Sequence, residues 1–273
     1  MNHKQLLALY GLKWNPFSPD VPDEVLCSTP AVDNFIWRVE NLVQTGGFAL
    51  VTGEPGLGKS VVLRLLARKL AAVQDVTVCE FSRPQSTLTD FYRELGLLFG
   101  LKLNYHGRFR TFQMLRDQWK AYIESTLIRP LLLIDEAQEM HTAILSEVRL
   151  LSSIRFDSQV VLAVVLAGDL RLVDKFRSPE LVSLGSRIRA RLTLESYTSE
   201  QLLLLLTESL KRAGAPQLFS KELQNTLVEH AVGNPRVMNT LANEILLLGA
   251  KQELVAPLDE KLFFELIPLR KRA

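Results

Sequence analysis

Cysteine is scarce: Cys27 and Cys79 are the two in 273 residues, so no disulfide framework holds this chain and its stability must come from a packed core. Cys79 falls in an apolar, strand-like run, where a thiol serves as a small inert hydrophobe. An excess of one charge is also missing. With 32 basic and 30 acidic side chains the formal net charge is +2, so any basic surface for nucleic acid must be local. No apolar run approaches the roughly 20 residues of a membrane span; the longest is Val160–Ala167. The first residues show no apolar signal core before a cleavage site, so the expected location is cytoplasmic, with no membrane partner. Repeats, low-complexity tracts, helix-turn-helix patterns and zinc patterns are missing too. What remains, 47% hydrophobic and 23% charged, is a globular composition for one large or two small domains.

The stretch that is present is Gly53-Glu54-Pro55-Gly56-Leu57-Gly58-Lys59-Ser60, which fits the G-x-x-x-x-G-K-[ST] phosphate loop at every fixed position. Phe48 to Thr52 before it reads as a short apolar strand. Val62, Leu63, Leu66, Ala67 and Leu70 after it recur at helical spacing. The glycines let backbone N–H groups turn towards phosphate oxygens at the positive end of the new helix. Lys59 adds a mobile cation for the outer phosphates, and the Ser60 hydroxyl is a Mg²⁺ ligand. ATP is therefore expected against Glu54, Pro55, Gly56, Leu57, Gly58, Lys59, Ser60 and Val61.

A second signal follows about 75 residues later. Leu131 to Ile134 is a continuous apolar run, the mark of a strand buried on both faces, and it ends in Asp135-Glu136. Ligands bind beyond the carboxyl ends of such strands. Asp135 is placed to hold Mg²⁺ together with Ser60, and Glu136 to polarise an attacking water. A further strand, Gln159 to Ala167, ends in Gly168-Asp169 at the same edge. A fifth is expected near Arg187 to Leu194, where alternation puts Arg187, Arg189 and Arg191 on one face. Five strands alternating with helices imply a parallel, doubly covered α/β sheet.

Three segments emerge. Residues 1–28 form an N-terminal arm in which Asn15-Pro16-Phe17 lies extended over a surface. That surface is either the protein's own core or the base of the nucleotide. Residues 29–194 form the α/β nucleotide-binding domain, its first helix opened by Thr29-Pro30. From residue 195 the pattern is helical only: Thr198-x-x-Gln201 is a capping box, Ser220 and Asn234-Pro235 open further helices, and 195–273 makes a small lid domain.

These motifs together resemble the AAA+ ATPases, and among them the group named for the ExeA-type secretion ATPases. The resemblance rests on Tyr10 to Lys13 with Asn15 to Ser18, Gly46-Gly47-Phe48, Gly53 to Ser60, Leu132 to Met140, Ser186-Arg187-Ile188 and Gly233-Asn234-Pro235-Arg236. It implies an AAA+ fold of the phosphate-loop class, a five-stranded parallel sheet with helices on both faces and a helical lid. It also implies ATP hydrolysis with Mg²⁺, stimulated by DNA or a partner; a carboxylate at Asp169, near phosphate, means either that this residue's role changes or that hydrolysis is slow. Lys59, Asp135 and Glu136 take their catalytic roles from it. Arg236 resembles the lid arginine that reaches the terminal phosphate, and Arg187 the finger given to a neighbouring copy, with Arg189 and Arg191 as alternatives. Asp169 departs from the pattern, since an amide or hydroxyl donor is usual there and an ionised carboxylate only accepts.

A finger acting in trans implies head-to-tail self-assembly into a ring or filament. Secretion ATPases of this group continue into a membrane span and a cell-wall-binding part. A chain stopping at Ala273 resembles more the transposition helper ATPases of MuB, TnsC and IstB type, which coat duplex DNA and stimulate a transposase. The segments that bind DNA there correspond to Arg83, Ser86 and Thr87, and to Lys102, Asn104, Tyr105, Arg108 and Arg110. Such contacts would read phosphates rather than bases. A secretion-system ATPase and a loader or signalling ATPase are the alternatives.

Overall fold

The structure is a computed structural model that describes residues 3–100, 108–154 and 159–270. The described chain divides into two compact units, one of residues 28–55 and 59–194, the other of 1–27, 56–58 and 195–273.

In chain order, α1 (His3–Tyr10) precedes α2 (Pro30–Thr45), whose N-cap Thr29 accepts a hydrogen bond from the Val32 amide ahead of a proline in the first turn. Gly46 and Gly47 have φ of 68° and 126°, a left-handed turn open to glycine, and lead into β1 (Gly47–Gly53). Next come α3 (Lys59–Ala71), β2 (Val76–Phe81), α4 (Leu88–Leu98), α5 (Arg108–Thr126), β3 (Arg129–Ile134) and α6 (Thr142–Ser152). A small antiparallel ribbon, β4 (Ser153–Ile154) with β5 (Gln159–Val160), precedes β6 (Ala163–Gly168). The unit closes with α7 (Leu170–Lys175), α8 (Val182–Gly185) and β7 (Ile188–Leu194).

The five long strands form one parallel sheet in the order β2-β3-β6-β1-β7. Every residue of β1 and β6 is buried, as central strands covered on both faces must be. Phe48, Leu50, Leu132, Ile134, Val164 and Leu166 pack with Phe91, Leu95, Trp119 and Ile144 into one core. Burial holds the Cys79 thiol up at about 11, so it is inert as expected. Register aligns the strand ends: Thr52 stands beside Gly168 and Ile134 beside Leu166. The phosphate loop, Asp135 and Asp169 therefore leave the sheet at one edge.

The structure corrects the expectation in three places. The apolar run 159–167 is divided, because Gln159 and Val160 turn back to pair with Ile154 and Ser153. Residues Arg108 and Arg110 start α5 rather than ending a loop. The strand expected from Arg187 begins at Ile188, and its register with β1 slips by one residue between Ile188 and Ala190. Only Arg189 and Arg191 follow the alternation; Arg187 sits in the turn after α8, its amide bonded to the Leu184 carbonyl at 3.0 Å.

The second unit is helical: α9 (Ser199–Arg212), α10 (Lys221–Ala231), α11 (Pro235–Lys251) and α12 (Lys261–Arg270). The N-terminal arm is not a separate piece, for Leu6, Tyr10, Leu12 and Phe17 belong to this unit's core, with Phe17 stacked on Phe219 at 5.5 Å. Too short to bury its own apolar side chains, the arm buries them among the lid helices. Both halves of the capping box on α9 are formed, the Thr198 hydroxyl accepting from the Gln201 amide at 3.2 Å and the Gln201 side chain from the Thr198 amide at 2.9 Å. Thr198→Ala should destabilise the helical unit by about 1 kcal/mol, read as an earlier midpoint in urea denaturation followed by far-ultraviolet circular dichroism. Among the described residues no helix is long and apolar enough to cross a membrane.

Candidate nucleotide-binding site

Gly56 and Gly58 have φ of 93° and 101°, so the phosphate loop curls through conformations that side-chain-bearing residues resist. The curl delivers Lys59 to the first turn of α3, where it is 6% exposed and donates through Nζ to the carbonyls of Gly53 (2.9 Å) and Glu54 (3.1 Å). Of the other loop positions Leu57 is buried, Glu54, Pro55 and Ser60 are exposed and Val61 is half-buried.

Ser60 Oγ donates to Asp135 Oδ2 at 2.6 Å, across 75 residues of sequence. The sheet register that aligns β1 with β3 through β6 makes this meeting possible. Two hard oxygens converging at a strand end suit Mg²⁺, which takes one or two protein oxygens and fills the rest of its shell with water and phosphate. Asp135 Oδ1 accepts from the Glu136 amide at 2.8 Å, which fixes the carboxylate. Glu136 itself has φ 49°, a left-handed backbone at the end of the strand, and is exposed.

Asp169 does not behave as a donor. It caps α7 by accepting from the Arg171 amide at 2.9 Å and forms an ion pair with the Arg171 guanidinium at 2.7 Å. The hydrogen bond from the Arg171 side chain, more than the one from its amide, holds the Asp169 carboxyl below the usual carboxylate range. Arg171 also bonds Glu139 at 2.8 Å. Sequence reasoning missed Arg171, and also Gln138, whose side-chain amide donates to the Glu136 carboxylate and accepts from the Asp169 amide at 3.2 Å. A polar residue two places after an acidic pair was the only available signal; its burial to 4% exposure comes from the fold.

In the helical unit, Asn234 caps α11 by accepting from the Arg236 amide at 3.0 Å, and Arg236 is exposed. Residues 56–58 cluster with this unit, and a Cβ on Gly56 would come within 2.9 Å of the Arg236 Cβ and 2.4 Å of Asn234 Oδ1. Glycine at 56 is thus required twice, by its φ and by this approach. Asn15 donates to Asn243 Oδ1 at 2.7 Å and accepts from the Phe17 amide at 3.0 Å, while Pro16 and Phe17 are buried. Their engagement is with their own unit's packing.

Of the three arginines near β7, Arg187 is half-buried, Arg189 donates to Thr45 and Gly46 at 3.4 Å, and Arg191 donates to the Gly185 carbonyl at 3.1 Å. The expected nucleic-acid set is only partly presented. Arg83 and Arg110 are exposed, but Ser86 is buried and the Thr87 hydroxyl caps α4 through Asp90. Thr87 stays exposed with its hydroxyl engaged at this helix start, so of the two hydroxyls burial withdraws that of Ser86. Lys102, Asn104 and Tyr105 lie outside the described residues, as does the side chain of Arg108.

Residues 41–176 match the family described as AAA domain. General secretion pathway protein A of Aeromonas hydrophila is 30% identical over 241 residues, 87% of this chain and 44% of that protein. This chain therefore spans less than half the length of that relative. Among solved structures, the Aeropyrum pernix ORC2 protein in ADPNP–ADP complexes matches with a TM-score of 0.72 at 14% identity, covering 91% of this chain and 70% of that one. The Aeropyrum pernix ORC1 protein in complex with DNA matches with a TM-score of 0.68 at 17% identity, covering 92% and 67%. At such identities the structural likeness speaks for the fold.

Proposed function

From the AAA+ fold of this chain, with its AAA domain over residues 41–176, we propose that it binds ATP with Mg²⁺ and hydrolyses it. The observation that carries this is the Ser60–Asp135 hydrogen bond, which joins the two motifs through oxygens suited to one hard cation. The loop amides and Lys59 take the phosphates, and Mg²⁺ supplies neutralisation of the charge that develops on the transferring group. Glu136 polarises the attacking water. Arg236 is the lid's cation for the terminal phosphate, and Arg187 is offered to the nucleotide of a neighbouring copy, which makes the active form a head-to-tail ring or filament. Mixing Lys59→Ala with Arg187→Ala chains should then restore turnover that neither has alone. Mixtures as inactive as their components would refute the shared site.

The client we infer is duplex DNA, and the role that of a helper selecting a target and activating a transposase. Support comes from the exposed cations Arg83 and Arg110, a modest charge that a filament would repeat along a phosphate backbone, and from the fold match to a DNA-bound protein. A second reading, an ATPase of an envelope secretion system, is favoured by the identity to general secretion pathway protein A. Phosphate release with and without duplex DNA separates them. DNA should raise turnover severalfold, and the effect should fade between about 50 and about 200 mM salt, as phosphate contacts do. Arg83→Ala with Arg110→Ala should blunt it. Turnover indifferent to DNA in a chain that hydrolyses ATP would favour the secretion reading.

A further inference from the structure

Glu136 is exposed and stands on a strained backbone, so something else must hold its carboxylate. Gln138 does so from a buried position. Its Nε2 donates to Glu136, and its Oε1 accepts the Asp169 amide at the end of β6, so one side chain ties the end of β3 to the end of the neighbouring strand. The turn that carries it is pinned in its own right: Lys175 Nζ donates to the carbonyls of Gln138 and, at 2.8 Å, Met140. Space is matched as well, since a Cβ on Gly168 would lie 2.5 Å from Gln138 Oε1.

We propose that Gln138 is a positioning residue for hydrolysis, holding the Glu136 carboxylate in its working orientation against the tip of β6. This rests on the reading of Glu136 as the group that polarises water. The chemistry asks for a side chain that donates and accepts at once. An amide does so, a neutral imidazole also can, and an aliphatic group of the same volume cannot.

The test uses the full chain as wild type, Gln138→Leu, Gln138→His and Glu136→Gln. Steady-state phosphate release gives kcat, a fluorescent ATP analogue gives Kd, and hydrogen exchange in nucleotide-free protein follows the Asp169 amide. Gln138→Leu should lower kcat by about ten- to a hundredfold, the scale on which a misplaced group slows a reaction, while Kd stays within about twofold. Its Asp169 amide should exchange about tenfold faster, having lost its acceptor. Gln138→His should recover both to within about threefold of wild type. Wild-type turnover in Gln138→Leu, a Kd that rises along with the fall in kcat, or no recovery with histidine would each overturn the proposal. Wild-type turnover in Glu136→Gln would instead sink the reading of Glu136 on which it rests.

Discussion

Lys59→Ala should lose ATP binding by at least about a hundredfold and show no measurable turnover, with both units still folded. The ammonium is almost fully buried at the mouth of the loop and already bonded to two of its carbonyls, so it is held where the outer phosphates would arrive. Charge-assisted hydrogen bonds of this kind are worth about 1.5–3 kcal/mol each, and losing two of them to phosphate oxygens accounts for the factor. Lys59→Arg should not rescue it, because a planar guanidinium cannot enter a space shaped for a compact point charge. Titration with a fluorescent ATP analogue checks the binding, and far-ultraviolet circular dichroism checks the fold. Binding within a few-fold of wild type would contradict the assignment of this loop.

Glu136→Gln should separate binding from chemistry. The amide keeps the shape of the carboxylate and leaves the Ser60–Asp135 pair untouched, so nucleotide affinity is expected to stay near wild type. It cannot accept a proton or polarise water as a carboxylate does, and turnover should fall by about 10²–10⁴. A chain that binds ATP without hydrolysing it would accumulate in its assembled form, and sedimentation with ATP should show larger species than wild type under the same conditions. Loss of affinity in this variant, measured with the same analogue, would mean that Glu136 is a ligand-binding or structural group instead.

Both variants strike residues that local pattern marks out. A phosphate loop is legible because glycine spacing, a lysine and a hydroxyl are all set by one short backbone turn. The Asp-Glu pair is legible because it closes a short continuous apolar run of the length of a strand buried on both faces. Gln138 and Arg171 were not legible in the same way. Each acquires its meaning from a residue on another strand or turn, Gln138 from the Asp169 amide and Arg171 from Glu139, and no local period encodes such a meeting. The two hydroxyls expected to face DNA also take their surroundings from the fold. Both have the right chemistry, but Ser86 is buried, while Thr87 stays exposed with its hydroxyl bonded to Asp90 at the start of α4.

The arm is a third case. Its prolines and aromatics mark an extended, surface-covering piece, yet they do not say which surface. Packing answers that with Phe17 stacked on Phe219, inside the helical unit.

Sequence alone determined that this chain has an α/β sheet followed by helices, with a phosphate loop and an Asp-Glu pair at the end of a buried strand. Those features are short-range, each written in a handful of adjacent residues. Tertiary structure decided which polar groups remain available and which are engaged. It paired Ser60 with Asp135, tied up Asp169 with Arg171, placed Gln138 behind Glu136 and moved Arg187 off the arginine face of β7. The physical reason is that a side chain's bonding capacity is fixed by its type, but its partners are fixed by strand register and burial, which belong to the whole fold.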